Sequence, residues 1–550
     1  MELIDIVKRV KRRLVFPGSS ESGIKIAGYR HIDCLFDKKA KLESLIAYAE
    51  TFNPDIIFNI GGIAEEAECL GATLNYSDDE DPSIAEPLIS SLKDVERLKI
   101  PSPKKGKLTS ISLAVIPELS KKFKGKFIPA SVTGPFTLAA LLAGAEKFSL
   151  TLKKERDLAF ALLDKCTSFL FEYAKEQISL GANYFTVAEP SAIFLSNEDF
   201  KLFCLPYLKK LFKNFKKYPS HIHICGDSFH LLHTLTRCGA HGLSLDSMVD
   251  LEDAARLIPQ NIVLIGNIDP VSIITESTEE NVKRETQTLL NKMELFENFI
   301  LATACSIPAD APLENIAAFI ETGRKYKILN KEVQNALKEC ADRVYSGNNR
   351  NLRETLKKAL KYKISAQNIY SKGLARGIKW ISDDYNKHRV SIPHILLSVE
   401  TMEKAVRLLW KNKKSFKTKR KRLLIGTVKG DIHEIGKNLV KTMFESKGYG
   451  VIDAGVDVSA EKFIDLCKTN SVDAVGISSF TTAGKKIVKE IATKLKKEFK
   501  NQCPLIMAGG PSIKGEDIKK LNIDGYADDM VEAVEVFENL IKTRQNPKSH

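Results

Sequence analysis

Two sets of side chains in this 550-residue chain have the types and spacing to do chemistry. The first is His223-Ile224-Cys225 together with Cys305. On a strand, positions i and i+2 share a face, so His223 and Cys225 can point the same way. Two thiolates and an imidazole suit Zn²⁺, and three protein ligands leave the fourth position open, as catalytic zinc requires. A lone cysteine reads as a small buried hydrophobe, so it is the set of three that carries the metal reading. The second set is Asp431, His433 and Gly436 in GDIHEIGKNLV (430–440). It follows an apolar run (423–428) that reads as a strand, and it opens an amphipathic helix. A histidine there projects from the C-terminal edge of a sheet, where open α/β folds bind ligands. Asp431 can accept the imidazole's second N–H, which fixes the tautomer and raises its basicity as a ligand. Gly436 lets a bulky group lie against the backbone.

The elements that must position these residues follow from patterning. Up to residue 330, strand-like runs at 14–17, 55–62, 126–134, 183–190, 221–227, 241–246, 261–269 and 298–306 alternate with helical patterns such as 151–180 and 278–295. Eight β-then-α units predict a (β/α)₈ TIM barrel; a doubly wound open sheet is the alternative, and eight short parallel-type strands favour closure. Polar residues fall at the strand ends, which a barrel gathers on one face. Glu189, Asp246 and Asn267 are therefore expected to be catalytic, and Glu189 is also a candidate fourth zinc ligand. His221 is expected to be buried in its strand, and His230 and His233 to be solvated or capping on a following helix. No role is assigned to the other eight cysteines.

Four helical patterns (333–345, 351–362, 365–385, 392–410) predict a small helical bundle over 331–410. A stretch at 411–422 with eight Lys/Arg in twelve positions reads as a basic linker. Strand-like runs at 423–428, 451–453, 474–478, 505–508 and 525–527 predict a flavodoxin-like doubly wound domain over 423–542, with a disordered tail at 543–550.

Composition is that of an ordinary globular protein, 43% apolar and 28% charged. No apolar run approaches the roughly 18 residues that span a bilayer, and the amino terminus, MELIDIVKRVKRRL, reads as an amphipathic helix. A cytoplasmic protein with no membrane partner is expected, its ten scattered cysteines reduced. The net charge of +14 is spread along amphipathic helices without stacking aromatics, so no nucleic-acid partner is expected either.

Spacing places the second set in a family. Ser478-Ser479-Phe480 follows Gly436 after 41 intervening residues (437–477), and Gly509-Gly510 comes 28 residues later (481–508). This resembles the D-x-H-x-x-G…S-x-L…G-G signature of the cobalamin-binding domain in methionine synthase and methyltransferase corrinoid proteins, with Phe480 where that family usually has Leu. The resemblance implies that His433 is the lower axial cobalt ligand, backed by Asp431 and Ser478. It also implies that the nucleotide tail threads past Ser478, Gly509 and Gly510, with Thr482 lining the same channel. The segment GLARGIKWISDDYNKHRVSIPHILLSVETMEKAV resembles the helical cap preceding such domains, with Trp380, Ile395, Leu396 and Leu397 as candidate cover residues beside an ordinary bundle-core role.

HICG and ACSIPADAPLENIAA resemble the zinc motif of methyltransferases in the uroporphyrinogen decarboxylase superfamily. EEAECLGA (65–72), SVTGPFTLAALLAG (131–144), TVAEPSA (186–192) and LIGNIDP (264–270) extend the likeness. The arginine-rich amino-terminal segment by which true decarboxylases hold substrate carboxylates is not recognisable, which argues against porphyrinogen decarboxylation. Together the resemblances imply a corrinoid-dependent methyltransferase. A zinc-bearing barrel is expected to pass a methyl group between a small donor and the cobalt of a corrinoid on the same chain. The domain order resembles that of the chloromethane-dehalogenating methyltransferases. A separate acceptor-side methyltransferase, folate-type or thiol, and a reductive activator are the implied partners. Transfer from corrinoid to a coenzyme M-type thiol, or a non-catalytic carrier with a scaffold barrel, are the alternatives.

Overall fold

The computed structural model describes residues 2–78, 80–410, 421–447, 449–514 and 517–545. The chain forms two compact units, Met1–Leu329 and Asn330–His550. In the first, strands β1 (Val15–Phe16), β2 (Pro129–Thr133), β3 (Tyr184–Ala188), β4 (Ser220–Ile224), β5 (Gly242–Leu245), β6 (Val263–Ile268) and β7 (Phe299–Thr303) pair in the order β1-β7-β6-β5-β4-β3-β2, all parallel. The eighth stave lies between β1 and β2. Ile56 bridges Phe127 in parallel, Asp55 N donates to Val15 O (3.4 Å), and Ile57 N donates to Phe127 O (2.9 Å). The ring closes as the spacing predicts, although the run at 55–62 shrinks to a single bridge. Pro54 before it and Gly61-Gly62 after it limit the ladder. A side chain compensates: the Asp55 carboxylate accepts from Val15 N (2.9 Å) and from both terminal nitrogens of Arg12 (2.6 and 2.7 Å).

The strands are buried on both faces, which is why they read as near-continuous apolar runs. Phe16, Tyr184, Val263, Ile265, Ile300 and Ala302 share one core cluster with Leu3 and Ile4. Those two belong to the helix Leu3–Arg9, and a Cβ on Gly242, at the start of β5, would lie 3.2 Å from Leu3 Cδ2. The amino-terminal helix therefore plugs the barrel where its strands begin. Each such aliphatic side chain stabilises the plug by about 1.5–3 kcal/mol through burial. The opposite end, where strands finish, is left for loops.

In the second unit, helices Lys331–Tyr345, Leu352–Lys361, Ala375–Asn386 and Ile392–Trp410 form the expected bundle. Trp380 is buried at its centre, edge-on to Tyr345, whereas Leu396 and Leu397 are exposed. Five parallel strands follow: β8 (Arg422–Val428), β9 (Gly450–Val458), β10 (Ala474–Ser478), β11 (Leu505–Gly509) and β12 (Gly525–Ala527), in the order β9-β8-β10-β11-β12. This is the flavodoxin strand order, whose crevice lies at the ends of the first and third strands.

Boundaries differ from expectation in three places. The basic stretch ends inside the sheet, with Arg422 opening β8 and Lys421 bound to Asp473 at 2.8 Å; residues 411–420 lie outside the described residues. β9 runs nine residues rather than three, because Asp453, Gly455 and Asp457 mask its apolar positions. The last helix, Met530–Gln545, passes the expected limit at 542, where Arg544 donates to Cys503 O (2.7 Å). The remainder of the expected tail, 546–550, is outside the described residues.

Candidate functional site

His223 sits on β4, Cys225 just past its end, and Cys305 two residues beyond β7, so all three meet where barrel strands finish. Their ligand atoms lie within 4.8 Å of one another, with His223 Nε2 3.2 Å from Cys225 Sγ and the two sulfurs 4.0 Å apart. A tetrahedral zinc with Zn–S near 2.3 Å needs about this spacing. His223 Nδ1 contacts Ser244 Oγ (3.1 Å), which turns Nε2 toward the thiols. The Cys305 thiol is held well below the ordinary range by its hydrogen bond with Cys225 and by His223, while the same contact and burial push Cys225 up. The residues present fit zinc.

Cys305 is also locked from behind. Gly18 N donates to Thr303 Oγ1 (2.8 Å), and a Cβ on Gly18 would meet Cys305 O at 2.1 Å, so only glycine allows the loop after β1 to lie against this strand end. The loop carries Glu21 to the wall of a cavity of about 450 Å³ that His223, Cys225 and Cys305 also line.

The expected catalytic carboxylates and amide do not line this cavity. Glu189 is wholly buried, and its carboxylate accepts from Phe136 N (3.1 Å) and Thr137 N (2.6 Å) at the start of helix Pro135–Ala143. It is a helix cap, and its position behind β3 removes it as a fourth zinc ligand. Asn267 donates to Asp246 O (2.9 Å) and Val249 O (2.7 Å), and Asp246 Oδ2 accepts from Gly226 N (2.9 Å). Asn267 and Asp246 thus brace the turn after Cys225. Strand-end position was a correct guide to the right face of the barrel. It could not say which side chains look inward and which support from outside.

The inward carboxylates come from elsewhere. Glu21, Glu65, Glu66 and Asp81 line the cavity. Glu65 accepts from Ser112 Oγ (2.9 Å) and lies 3.5 Å from the fully buried Lys41 Nζ. Glu66 accepts from Thr133 N (2.8 Å), and burial pushes its carboxyl up to about 7. Burial, then the charge of Asp81, raises Glu21 likewise to about 7. EEAECLGA contains two of these residues, and the consecutive acids were the available signal. His221 is buried as expected, held by Tyr184 OH and Thr186 Oγ1 (both 3.0 Å). Both ring nitrogens of His230 contact backbone carbonyls, and His233 contacts Arg237.

In the second unit, Asp431 is buried and His433 half-exposed on the loop after β8. Asp431 Oδ1 lies 2.7 Å from His433 Nδ1, which assigns the proton to Nδ1 and leaves Nε2 as the lone-pair nitrogen. Asp431 is itself pinned by Phe480 N (2.6 Å) and Thr481 N (3.4 Å), from the loop after the neighbouring strand β10. The backing of Asp431 is thus backbone N–H, and Ser478 is not part of it. Ser478 lines a second cavity of about 400 Å³ with Gly436, Gly509 and Gly510, walled further by Leu439, Val440 and Met507. Gly510 has φ +114°, and a Cβ there would meet Ser479 O at 2.2 Å. Gly436 has no neighbour within 4 Å of a Cβ position, so the space above it is free for a bound group. Thr482 is exposed and outside this cavity, because the chain turns outward after Thr481. Phe480, the departure from the usual Leu, stacks on the His433 ring (4.1 Å, 18°). An imidazole with a fixed tautomer beside an apolar slot fits a corrinoid with its nucleotide tail.

Among the described residues no helix is long and apolar enough to cross a membrane. Comparison with known proteins places both units. Residues 9–326 match the family Uroporphyrinogen decarboxylase (URO-D), and residues 336–409 and 421–540 each match a B12 binding domain. A methylcobamide:CoM methyltransferase of Methanosarcina acetivorans is 31% identical over 272 residues, 48% of this chain and 78% of that protein. Dimethylamine corrinoid protein 3 of the same organism is 29% identical over 211 residues, 38% of this chain and 99% of that protein. A solved methyltransferase from Methanosarcina mazei shares the fold over 58% of this chain and 96% of its own, at 21% identity and a TM-score of 0.54. The chain therefore belongs to the uroporphyrinogen decarboxylase family, carries its own B12-binding module, and is a cobalamin-dependent methyltransferase.

Proposed function

We propose that the barrel is a zinc-dependent half-reaction site that takes a methyl group from a small donor and delivers it to the corrinoid carried on the same chain. The convergence of His223, Cys225 and Cys305 at one cavity carries this reading. His223, Cys225 and Cys305 would hold the zinc, which supplies Lewis acidity toward the heteroatom that bears the methyl group. The corrinoid supplies a cobalt nucleophile. Ser244 orients His223, and Asn267 and Asp246 brace the turn that sets Cys225. In the second unit, Asp431 holds the proton on His433 Nδ1 so that Nε2 would hold the cobalt of a bound corrinoid, and Gly436, Ser478, Gly509 and Gly510 would give room to its nucleotide tail.

The opposite direction, toward a thiol, has support in the names of the relatives, which act on coenzyme M. One zinc site can serve a thiolate as nucleophile or leaving group. Carrying the corrinoid on the chain favours the donor side, since tethering holds one carrier at ~mM effective concentration. A second methyltransferase, folate-type or thiol-dependent, would then unload it, and a reductive activator would keep the cobalt competent.

Metal analysis of the full-length chain tests the site: one zinc per chain, lost in Cys305→Ala and retained in His433→Ala, is expected. Full donor-dependent activity in a zinc-free chain would refute it. Single-turnover mixing tests direction. Methylation of an added thiol, with no methylation by small donors, would reverse it.

A further inference from the structure

We propose that the barrel cavity selects its methyl carrier by charge, taking one that is positively charged or neutral and rejecting anionic carriers such as sulfonates. The inference rests on the zinc reading of the same cavity and adds the class of substrate. Besides His223, Cys225 and Cys305, the cavity is lined by Glu21, Glu65, Glu66 and Asp81, and no lysine or arginine is among the described residues that line it. Lys41 is fully buried and does not line the cavity, with its Nζ 2.8 Å from Ser112 Oγ and 3.5 Å from Glu65. It is already matched and offers nothing to a ligand. Asp81 faces His31 at 3.1 Å, which leaves Glu21 as the wall's least matched carboxylate.

A second observation points the same way without using charge. Asn59 lines the cavity and commits its amide nitrogen to Ser112 O (3.1 Å), while its carbonyl oxygen is sealed from solvent without a hydrogen-bond partner. An acceptor left unsatisfied in a buried wall costs about 1–3 kcal/mol unless a donor arrives. An ammonium or hydroxyl group supplies one; a sulfonate or carboxylate has only acceptors. The anionic carrier would bring repulsion from Asp81, joined by Glu21 as its carboxyl ionises above about 7, and would leave Asn59 unpaired. This separates the chain from relatives that act on coenzyme M, whose sulfonate is an anion.

Three thiols of equal length and different charge test this: cysteamine, 2-mercaptoethanol and 2-mercaptoethanesulfonate. Each is titrated into the full-length, corrinoid-free chain with Co²⁺ replacing zinc, and binding is read from the thiolate-to-cobalt absorption band. Cysteamine is expected to bind at least about tenfold more tightly than the sulfonate, with mercaptoethanol between, as one partly buried charge contact would give. Glu21→Gln should narrow that gap several-fold, and the more exposed Asp81→Asn should do so without touching the loop that packs on Cys305. Equal or tighter binding of the sulfonate would overturn the charge proposal while leaving the metal site standing. A cobalt-loaded chain whose spectrum no thiol changes would instead remove the zinc reading, and this inference with it.

Discussion

The barrel and the corrinoid-binding unit use one device in two settings. In each, a histidine is oriented through Nδ1, by Ser244 in the barrel and by Asp431 in the second unit, so that Nε2 would be the metal-binding atom of the proposed reading. His223 stands on a strand paired on both sides, with both thiols close at hand. His433 stands on a loop, half-exposed, with only Phe480 stacked on it. The partner differs as well, a neutral hydroxyl against a buried carboxylate. A rigid, weakly polarised imidazole suits a resident metal. A carboxylate-backed imidazole on a loop suits a ligand whose bond to the metal must strengthen and relax during turnover.

The comparison breaks first at the thiols. Cys305→Ala should abolish zinc binding and lower methyl transfer by more than about 100-fold, with corrinoid binding intact, as metal content and the corrinoid spectrum would report. Loss of both together would mean that the two units do not fold independently.

His433→Ala and Asp431→Asn sharpen the other side. The first should give bound corrinoid whose spectrum lacks a histidine lower ligand. The second should weaken that ligation by about 10–100-fold, since an amide is a poorer partner for Nδ1–H. Unchanged spectra would cancel the assignment. Ser244→Ala should cost less than Asp431→Asn, near tenfold in zinc affinity, because only a neutral hydrogen bond is lost.

Smaller still are effects on stability. Glu189→Ala should destabilise the barrel by about 1–3 kcal/mol through two buried N–H groups left unpaired, with zinc retained. The pH dependence has a defined sign. The folded chain keeps the Glu66 proton up to about 7, whereas the unfolded chain releases it near the ordinary value of 4.5. The folded state therefore binds more protons in that window, and stability is full below 4.5 and falls as pH rises toward 7. Melting curves from pH 5 to 8 should show this decline, and Glu66→Gln should make it shallower, with Glu21 and Glu189 supplying the remainder.

The His223/Cys225 and Asp431/His433 pairings were legible in sequence because their spacing is local, i and i+2 on a strand and D-x-H-x-x-G on a turn, whereas Cys305 joins its group only through the fold. The architecture was legible because parallel strands buried on both faces read as apolar runs. The supporting residues were not. Glu189, Asp246 and Asn267 share the strand-end position of Cys225, and only the register of each strand end decides which side chains face the cavity. Glu21 and Asp81 lie on loops whose path is set by packing, through Gly18 against Cys305 and His31 against Asp81. Ser478 and Thr482 illustrate the same limit over shorter range, since one turn of the loop separates a cavity wall from solvent.

The single-bridge stave at residues 55–57 has a consequence for exchange kinetics. Ladders with few backbone hydrogen bonds open at lower free energy than their neighbours, so the amide of Ile57 should exchange with solvent well before those of β3 or β4. Asn59, Glu65 and Glu66 follow directly on that stave. Part of the acidic wall thus follows a short ladder, while His223 stands on a strand paired on both sides. On the proposed zinc reading, such opening would loosen the Asn59 and Glu65 side of the cavity ahead of the strand that carries His223.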